Sequence, residues 1–212
     1  MVQTLSARAT TLEDLRQHFG LQIAAAPQFF PEWLEAAAEV TIDEQAQLNR
    51  VKRHFLHLSQ SLPLMENSIK MVVLSPLLDL AGFDDEPFNL RTEAPSEVVS
   101  QNEGIVIHGQ VDVLVVFDRL WVLAIESKNM GISLSAGISQ ALSYMLAVPP
   151  AEHPSFGLVT NGSEFVFLKL VPQPTPQYSS SQVFSMLSPA NELYDILRIL
   201  KCLGQLASQP QS

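Results

Sequence analysis

The chain has 212 residues, of which 47% are hydrophobic and 16% charged, so it can bury a substantial core and is not a disordered protein. Its net charge of −10 argues against a broad basic surface for non-specific nucleic-acid binding, and its single cysteine excludes an internal disulfide and a cysteine-based zinc site. Because no apolar run reaches about 18 residues and the first residues lack the layout of a signal peptide, we expect a cytoplasmic protein without membrane contact.

Residues 1–62 predict a helical N-terminal extension packed on the core. The first ten residues are expected to fray. Thr11 begins a short helix that ends at Gly20, and Thr41 with Glu44 forms a capping box for a longer helix. That longer helix carries a basic cluster, which is either a solvated face or a contact for the DNA backbone: Arg50, Lys52, Arg53, His54 and His57.

Residues 63–206 predict the core, and 207–212 predict a flexible tail. A helix over Met65–Ala81, interrupted at Pro76, should precede two strands, and Gly109 in the second strand predicts a bend or bulge. The remaining elements are expected in this order: a strand over Trp121–Asn129, a helix over Gly131–Val148 closed by Pro149-Pro150, a hairpin of strands joined at Asn161-Gly162, and a last helix after Ser188. This order predicts an α/β sandwich with a mixed central sheet.

Charged residues lie inside two of the most apolar predicted strands: Asp112 in one, and Glu126 and Lys128 in the next. A buried ionised group is costly unless it is paired or holds a metal. If the intervening turn has three residues, Asp118–Leu120, then Asp112 faces Glu126 with Cβ atoms roughly 4.5–5.5 Å apart. A two-residue turn would instead put Asp112 on the opposite face.

Two carboxylates this close favour a site for Mg²⁺, which binds one or two carboxylates together with water and substrate phosphate. Lys128 could hold a phosphate oxygen or position an attacking water. The set therefore predicts metal-assisted phosphodiester hydrolysis. The alternative is a buried ion-pair network without a catalytic role.

The spacing of these residues resembles the PD-(D/E)XK nuclease superfamily: Val111-Asp112, thirteen intervening residues, then Glu126-Ser127-Lys128, with Val111 in place of the proline. Gln140 and Tyr144 are similar to the Q-x-x-x-Y element of the N-terminal nuclease domain of type I restriction enzyme R subunits. Residues 157–170 are similar to the strand-turn-strand ending of that domain. The resemblance covers residues 63–170, and because no helicase motif follows we expect a stand-alone nuclease domain.

The resemblance implies a restriction-endonuclease-like α/β/α core with a mixed central β-sheet. It implies that Asp112 and Glu126 bind Mg²⁺, for which Mn²⁺ can substitute, together with the Ser127 carbonyl. Lys128 would stabilise the attacking hydroxide or the charge of the phosphorane. Gln140 and Tyr144 would flank the catalytic pocket.

Two assignments have alternatives. Glu66 holds the place of a helix glutamate that often reaches the metal site in the family, but it could instead form an (i, i+4) ion pair with Lys70. Gln140 and Tyr144 are four residues apart and lie away from the main apolar stripe of their helix, so they could also be an exposed pair without chemical function.

The function expected from these residues is a Mg²⁺-dependent DNA endonuclease, either a restriction-type enzyme or a DNA-repair component. Because the chain is acidic, tight DNA binding would need a homodimer or a partner subunit. The alternative is a catalytically silent nuclease-fold module for nucleic-acid binding or protein assembly.

Overall fold

The protein is a mixed α/β structure with a mixed central sheet, as the sequence predicts. The computed structural model describes residues 3–26, 28–99, 105–117, 120–147, 154–172 and 174–208. In this part of the chain, no helix combines the length and the apolar character that crossing a membrane requires.

The described residues form nine strands: β1 Gln3–Ser6, β2 Gln22–Ile23, β3 Phe88–Val99, β4 Ile105–Phe117, β5 Leu120–Ser127, β6 Ser155–Thr160, β7 Glu164–Val171, β8 Gln177–Ser180 and β9 Phe184–Ser185. The α-helices are α1 Leu12–Phe19, α2 Pro31–Leu34, α3 Ile42–Leu58, α4 Glu66–Ile69, α5 Ser75–Leu80, α6 Leu134–Met145 and α7 Leu193–Ser208. A short 3₁₀ turn, Ala7–Ala9, follows β1, and a π-helical segment, Lys70–Leu74, joins α4 to α5.

The long strand β4 is the centre of the sheet. Strand β3 pairs with it in antiparallel fashion along one edge, while β1 and β5 share the opposite edge. From β5 the sheet continues through β6, β7 and β8 to β2. The pairs β5–β6 and β8–β2 are parallel, and the pairs β6–β7 and β7–β8 are antiparallel. The expectation that the first ten residues fray is wrong for residues 3–10, because β1 pairs with residues 105–108 of β4.

Helices cover both faces of the sheet. Helix α6 packs on one face, where Ala141 and Leu142 are fully buried against Leu168 and its neighbours. Helices α3, α5 and α7 pack on the other face with Leu48, Leu77, Leu200 and the aromatic residues of β7. The N-terminal segment therefore contributes two strands to the sheet in addition to its helices.

The register between β4 and β5 is the predicted one, although the predicted turn is wrong. Phe117 pairs with Leu120, so only residues 118 and 119, which lie outside the described residues, separate the two strands, and Leu120 is not part of the turn. A shift between Val115 and Val116 then adds one residue to β5. Farther along, Val113 pairs with Ile125, which brings Asp112 next to Glu126 as expected.

Gly109 does not mark a bend or bulge, because the pairing of β3 with β4 passes through it without a shift. A Cβ atom at Gly109 would lie 2.6 Å from Cε1 of Tyr144 and 2.7 Å from Cβ of Ala7. The glycine is therefore needed for the close approach of α6 to β4, since any side chain would displace the ring of Tyr144.

The predicted helix over residues 65–81 is built from three pieces, α4, the π-helical segment and α5. Pro76 lies in the first turn of α5, where its missing N–H is tolerated. Helix α7 includes residues 207 and 208 of the predicted tail. Residues 209–212 and the predicted helix stop at Pro149-Pro150 lie outside the described part.

Candidate active site where β4 and β5 separate

The candidate site lies where β4 and β5 part. Their pairing ends at Val113 and Ile125, and nearer its start the same edge of β4 pairs with β1. Asp112 precedes Val113 in the chain, so it lies just beyond the last residue of β4 that pairs with β5. Its Oδ2 accepts a hydrogen bond of 2.7 Å from the backbone N–H of Ser127, so the carboxylate joins the two strands where their backbones no longer pair.

Both β3 and β4 are distorted beside Asp112. Val111 packs in the layer that contains α6, whereas Val113 packs in the opposite layer, although residues two apart in a regular strand share one face. Glu93, which stands across from Asp112 between the pairs Thr92–Val113 and Ala94–Val111, has a φ of 52°. Such left-handed backbone in a non-glycine residue is strained and is concentrated at functional sites.

One half of the site faces α4. The Nζ atom of Lys70 donates hydrogen bonds of 2.9 Å to Oε1 of Glu66 and to Oδ1 of Asp112. The backbone N–H of Glu66 donates to Oδ1 of Asn129 at 2.8 Å, which fixes the start of α4 to the end of β5. The predicted ion pair between Glu66 and Lys70 therefore exists, and it brings Glu66 to the site rather than away from it.

The other half faces α6 and is almost completely buried. Nζ of Lys128 donates to Oε1 of Glu126 at 2.6 Å and to Oε1 of Gln140 at 2.5 Å, and Nε2 of Gln140 donates to the Tyr144 hydroxyl at 2.6 Å. Glu126, Gln140 and Tyr144 are 1%, 2% and 2% exposed. The pair Gln140–Tyr144 is therefore not exposed, contrary to the alternative, because this face of α6 packs on the sheet. A chemical role for the pair stays a prediction.

Helix α6 reaches the site through a small residue. A Cβ atom at Gly137 would lie 2.5 Å from Cγ1 of Val159 and 3.6 Å from Cε of Lys128. The helix can lie this close to β6 only because Gly137 has no side chain. The stem of Lys128 lies beside Gly137 in the same interface.

Burial sets the electrostatics of the carboxylates. Burial raises the pKa of Glu126 to about 7, the negative charge of Asp112 adds to this, and Lys128 opposes it. Burial also raises the pKa of Asp112, against the hydrogen bonds from Lys70 and Ser127. Burial alone would lower the pKa of Lys70, but its hydrogen bonds to Glu66 and Asp112 outweigh that effect, so its pKa is raised.

The phenol of Tyr144 stays protonated. Burial raises its pKa well above the usual value, and the charge of Glu126 contributes in the same direction, whereas the hydrogen bond with Gln140 opposes it. Tyr144 is therefore suited to orient Gln140 and not to accept a proton.

The chemistry of these groups fits Mg²⁺, because their donor atoms are oxygens. Oε2 of Glu126 is buried without a hydrogen-bond partner, so it is open to a cation. Within the described ranges, however, no group of three or more His, Cys, Asp or Glu side chains is arranged to hold a metal. The ammonium of Lys70 lies between Glu66 and Asp112, two of the predicted ligands, and binding of Mg²⁺ or Mn²⁺ stays a prediction.

Sequence reasoning missed two residues of the site. The sequence predicts Lys70 only as a partner of Glu66, and its contact with Asp112 depends on how α4 packs on the sheet. Asn129 was not singled out, although it follows Lys128 directly and holds α4 in place. For Lys70, the one signal in the sequence is its (i, i+4) spacing from Glu66.

The predicted basic cluster lies on α3, and one of its members has a structural role. Nζ of Lys52 donates to the backbone carbonyls of Ser188 and Ala190, at 2.6 and 2.8 Å, just before α7. Arg50 and Arg53 are exposed. A contact of this cluster with the DNA backbone stays a prediction.

Comparison with known proteins gives no family for this chain. No model of a known protein family matches it, and no curated protein is significantly similar to it. The case for a function therefore depends on the residues and geometry of the site.

Proposed function

We propose that this chain is a Mg²⁺-dependent DNA endonuclease of the PD-(D/E)XK superfamily with a restriction-endonuclease-like core. One observation carries the proposal: Asp112 and Glu126 meet where two strands of a mixed sheet separate, with Lys128 bound to Glu126 at 2.6 Å. Buried carboxylates are expensive to keep unless they are paired or bind a cation. An unpartnered carboxylate oxygen on Glu126, next to Lys128, together with the strained backbone at Glu93 across from Asp112, favours a catalytic site over a structural ion pair.

The carboxylates would hold the metal. Asp112 and Glu126 would be its side-chain ligands, joined by the Ser127 carbonyl and, directly or through water, by Glu66. When bound, the ion would lower the pKa of the attacking water and offset negative charge on the phosphate.

Lys128 would act on the phosphate. Its ammonium is held by the Glu126 carboxylate and the Gln140 amide, so its position is defined before substrate binds. It would stabilise the negative charge that develops on the phosphoryl oxygens. Gln140 would position Lys128, and Tyr144 would orient the Gln140 amide through its hydroxyl.

The acidic charge of the chain affects how DNA would bind. With 12 basic residues against 22 acidic ones, the contribution of phosphate neutralisation to affinity is small. A homodimer or a partner subunit would supply the missing positive surface. The exposed arginines of α3 are the part of this chain that would contribute to it.

The alternative is a catalytically silent module that binds nucleic acid or assembles with a partner. The contacts of Lys70 favour it, because this lysine already pairs with both Asp112 and Glu66. In that case the site would be an ion-pair network that holds α4 on the sheet.

Metal titration and DNA nicking separate the two functions. We would titrate Mg²⁺ and Mn²⁺ by calorimetry and incubate each protein with supercoiled plasmid, comparing wild type with Asp112→Asn and Glu126→Gln. Both variants should lose metal binding, and nicking should fall by roughly a thousandfold. Glu44→Gln is the matched control, because Glu44 also binds a lysine but lies in the first turn of α3.

Each outcome has a clear meaning. Metal binding and nicking that both depend on Asp112 and Glu126 would support the endonuclease. Metal binding without nicking would favour the silent module. Nicking that persists in both variants would contradict the proposal.

A further inference from the structure

Lys70 occupies the position in which a cation would bridge two carboxylates of the site. Its Nζ is 2.9 Å from Oε1 of Glu66 on α4 and 2.9 Å from Oδ1 of Asp112 on β4. These carboxylates belong to different elements of the fold. A single positive charge therefore links them, as a bound metal ion would.

Lys70 lies at the border between the core and the surface of its helix. Lys70 lies between Ile69, which is fully buried, and Met71, which is 75% exposed, so it is at the border of the helix surface. Its side chain is 20% exposed, and it begins the π-helical segment. Segments of this kind often occur at functional sites, and the flexible four-carbon stem allows the ammonium to turn into water.

The charges of the site favour an exchange. With all three carboxylates ionised, Glu66, Asp112 and Glu126 carry three negative charges, and Lys70 and Lys128 carry two positive ones, so one negative charge is left over. If a divalent ion replaced the Lys70 ammonium, the cluster would be neutral. If the ion entered while Lys70 stayed, the cluster would be positive and the two cations would repel each other.

We propose that Lys70 is an internal counter-ion, which holds Glu66 and Asp112 together in the metal-free protein and must leave when a divalent ion binds. This inference rests on the proposed metal site and adds how metal binding at that site is regulated. Lys70 stabilises the metal-free protein and lowers its affinity for the metal, so it sets the metal concentration at which the site fills.

The test compares metal affinity with metal-free stability in two lysine variants. Lys70→Met keeps an unbranched side chain only one atom shorter and removes its charge. Lys201→Met is the matched control, because Lys201 binds Glu44 at 2.6 Å with a side chain 21% exposed, away from the site. Mn²⁺ would be titrated by calorimetry into each protein, and the melting temperature would be measured in EDTA.

Lys70→Met should bind Mn²⁺ on the order of tenfold to a hundredfold more tightly than wild type, because a competing charge is removed. It should also melt at a lower temperature in EDTA. Lys201→Met should bind Mn²⁺ as wild type does. An unchanged or weaker affinity in Lys70→Met, with wild type still binding, would overturn the inference and leave the proposed function standing.

The remaining outcomes separate the inference from the proposed function. If neither wild type nor Lys70→Met binds Mn²⁺, both the metal site and the inference fail. If Lys70→Met binds Mn²⁺ and wild type does not, the inference holds in its strongest form. The wild-type protein would then be the silent module, with its site closed by the lysine.

Discussion

The two lysines of the site have different surroundings. Lys128 contacts one carboxylate and one amide, both nearly fully buried, and its own side chain is 13% exposed. Lys70 contacts two carboxylates, and its partner Glu66 has a side chain 28% exposed. The buried half beside α6 can therefore hold a reacting group in a fixed position. The half beside α4 is open enough to exchange its cation with solvent.

The largest expected difference is in stability. Lys128→Met should lower the free energy of unfolding by about 3 kcal/mol, because it leaves the buried Glu126 carboxylate without its cation. Lys70→Met should cost about 1 kcal/mol, because water reaches Glu66 and the N–H of Ser127 still donates to the buried Asp112. Urea unfolding in EDTA at pH 8 measures both. Equal losses would remove the distinction between the two halves.

The next effect concerns pH. Because the pKa of Glu126 is raised to about 7 from an ordinary 4.5, the folded protein keeps a proton that the unfolded chain has already lost between these values. Its contribution to stability is complete below about pH 4.5, falls as the pH rises, and is gone above about pH 7. The change is roughly 3 kcal/mol. Between about pH 4.5 and pH 7, the free energy of unfolding of the metal-free wild type should fall by this amount relative to that of Glu126→Gln.

The control for the pH experiment is Glu44→Gln. Burial opposes the hydrogen bonds that Glu44 receives, and the pKa of Glu44 is lowered overall. Its contribution to stability therefore appears as the pH rises, which is the opposite sign. A wild-type protein that follows the same pH curve as Glu126→Gln would show that the Glu126 carboxyl is not perturbed by folding.

The smallest effect is at Tyr144. Tyr144→Phe keeps the ring that packs against Gly109 and removes the hydroxyl that accepts from Gln140. The buried Nε2 group of Gln140 then loses its acceptor, which should cost about 1 kcal/mol in thermal or urea unfolding. Tyr178→Phe, at a half-buried tyrosine in the same apolar layer, should cost less. A larger loss at Tyr178 would mean that the Gln140–Tyr144 bond does not stabilise the buried half.

Local patterns predicted most of the elements. The caps at Thr11 and Thr41, both of them capping boxes, begin α1 and α3 as expected. The apolar runs predicted β4 and β5, and Asn161-Gly162 predicted the hairpin of β6 and β7. These signals work because backbone capping, side-chain periodicity and turn geometry depend on residues close in sequence.

The errors share one cause, which is packing between distant residues. The start of the chain forms β1 because its partner is in β4, and Tyr144 is buried because Gly109 leaves room for its ring. The predicted turn length was wrong, yet Asp112 lies next to Glu126 as expected, because β5 has an extra residue before Leu123. A pattern read along the chain does not contain such compensations.

The sequence by itself determined the class of the fold, the two strands that carry Asp112 and Glu126, and the helix that carries Gln140, although β5 ends at Ser127, one residue before Lys128. It did so because the period of apolar residues fixes which side chains share a face. Only the tertiary structure decided that β4 and β5 separate beside Asp112, that Gln140 is buried, and that Lys70 lies between two carboxylates. These features depend on how helices on opposite faces approach the sheet, and short-range spacing does not specify that approach.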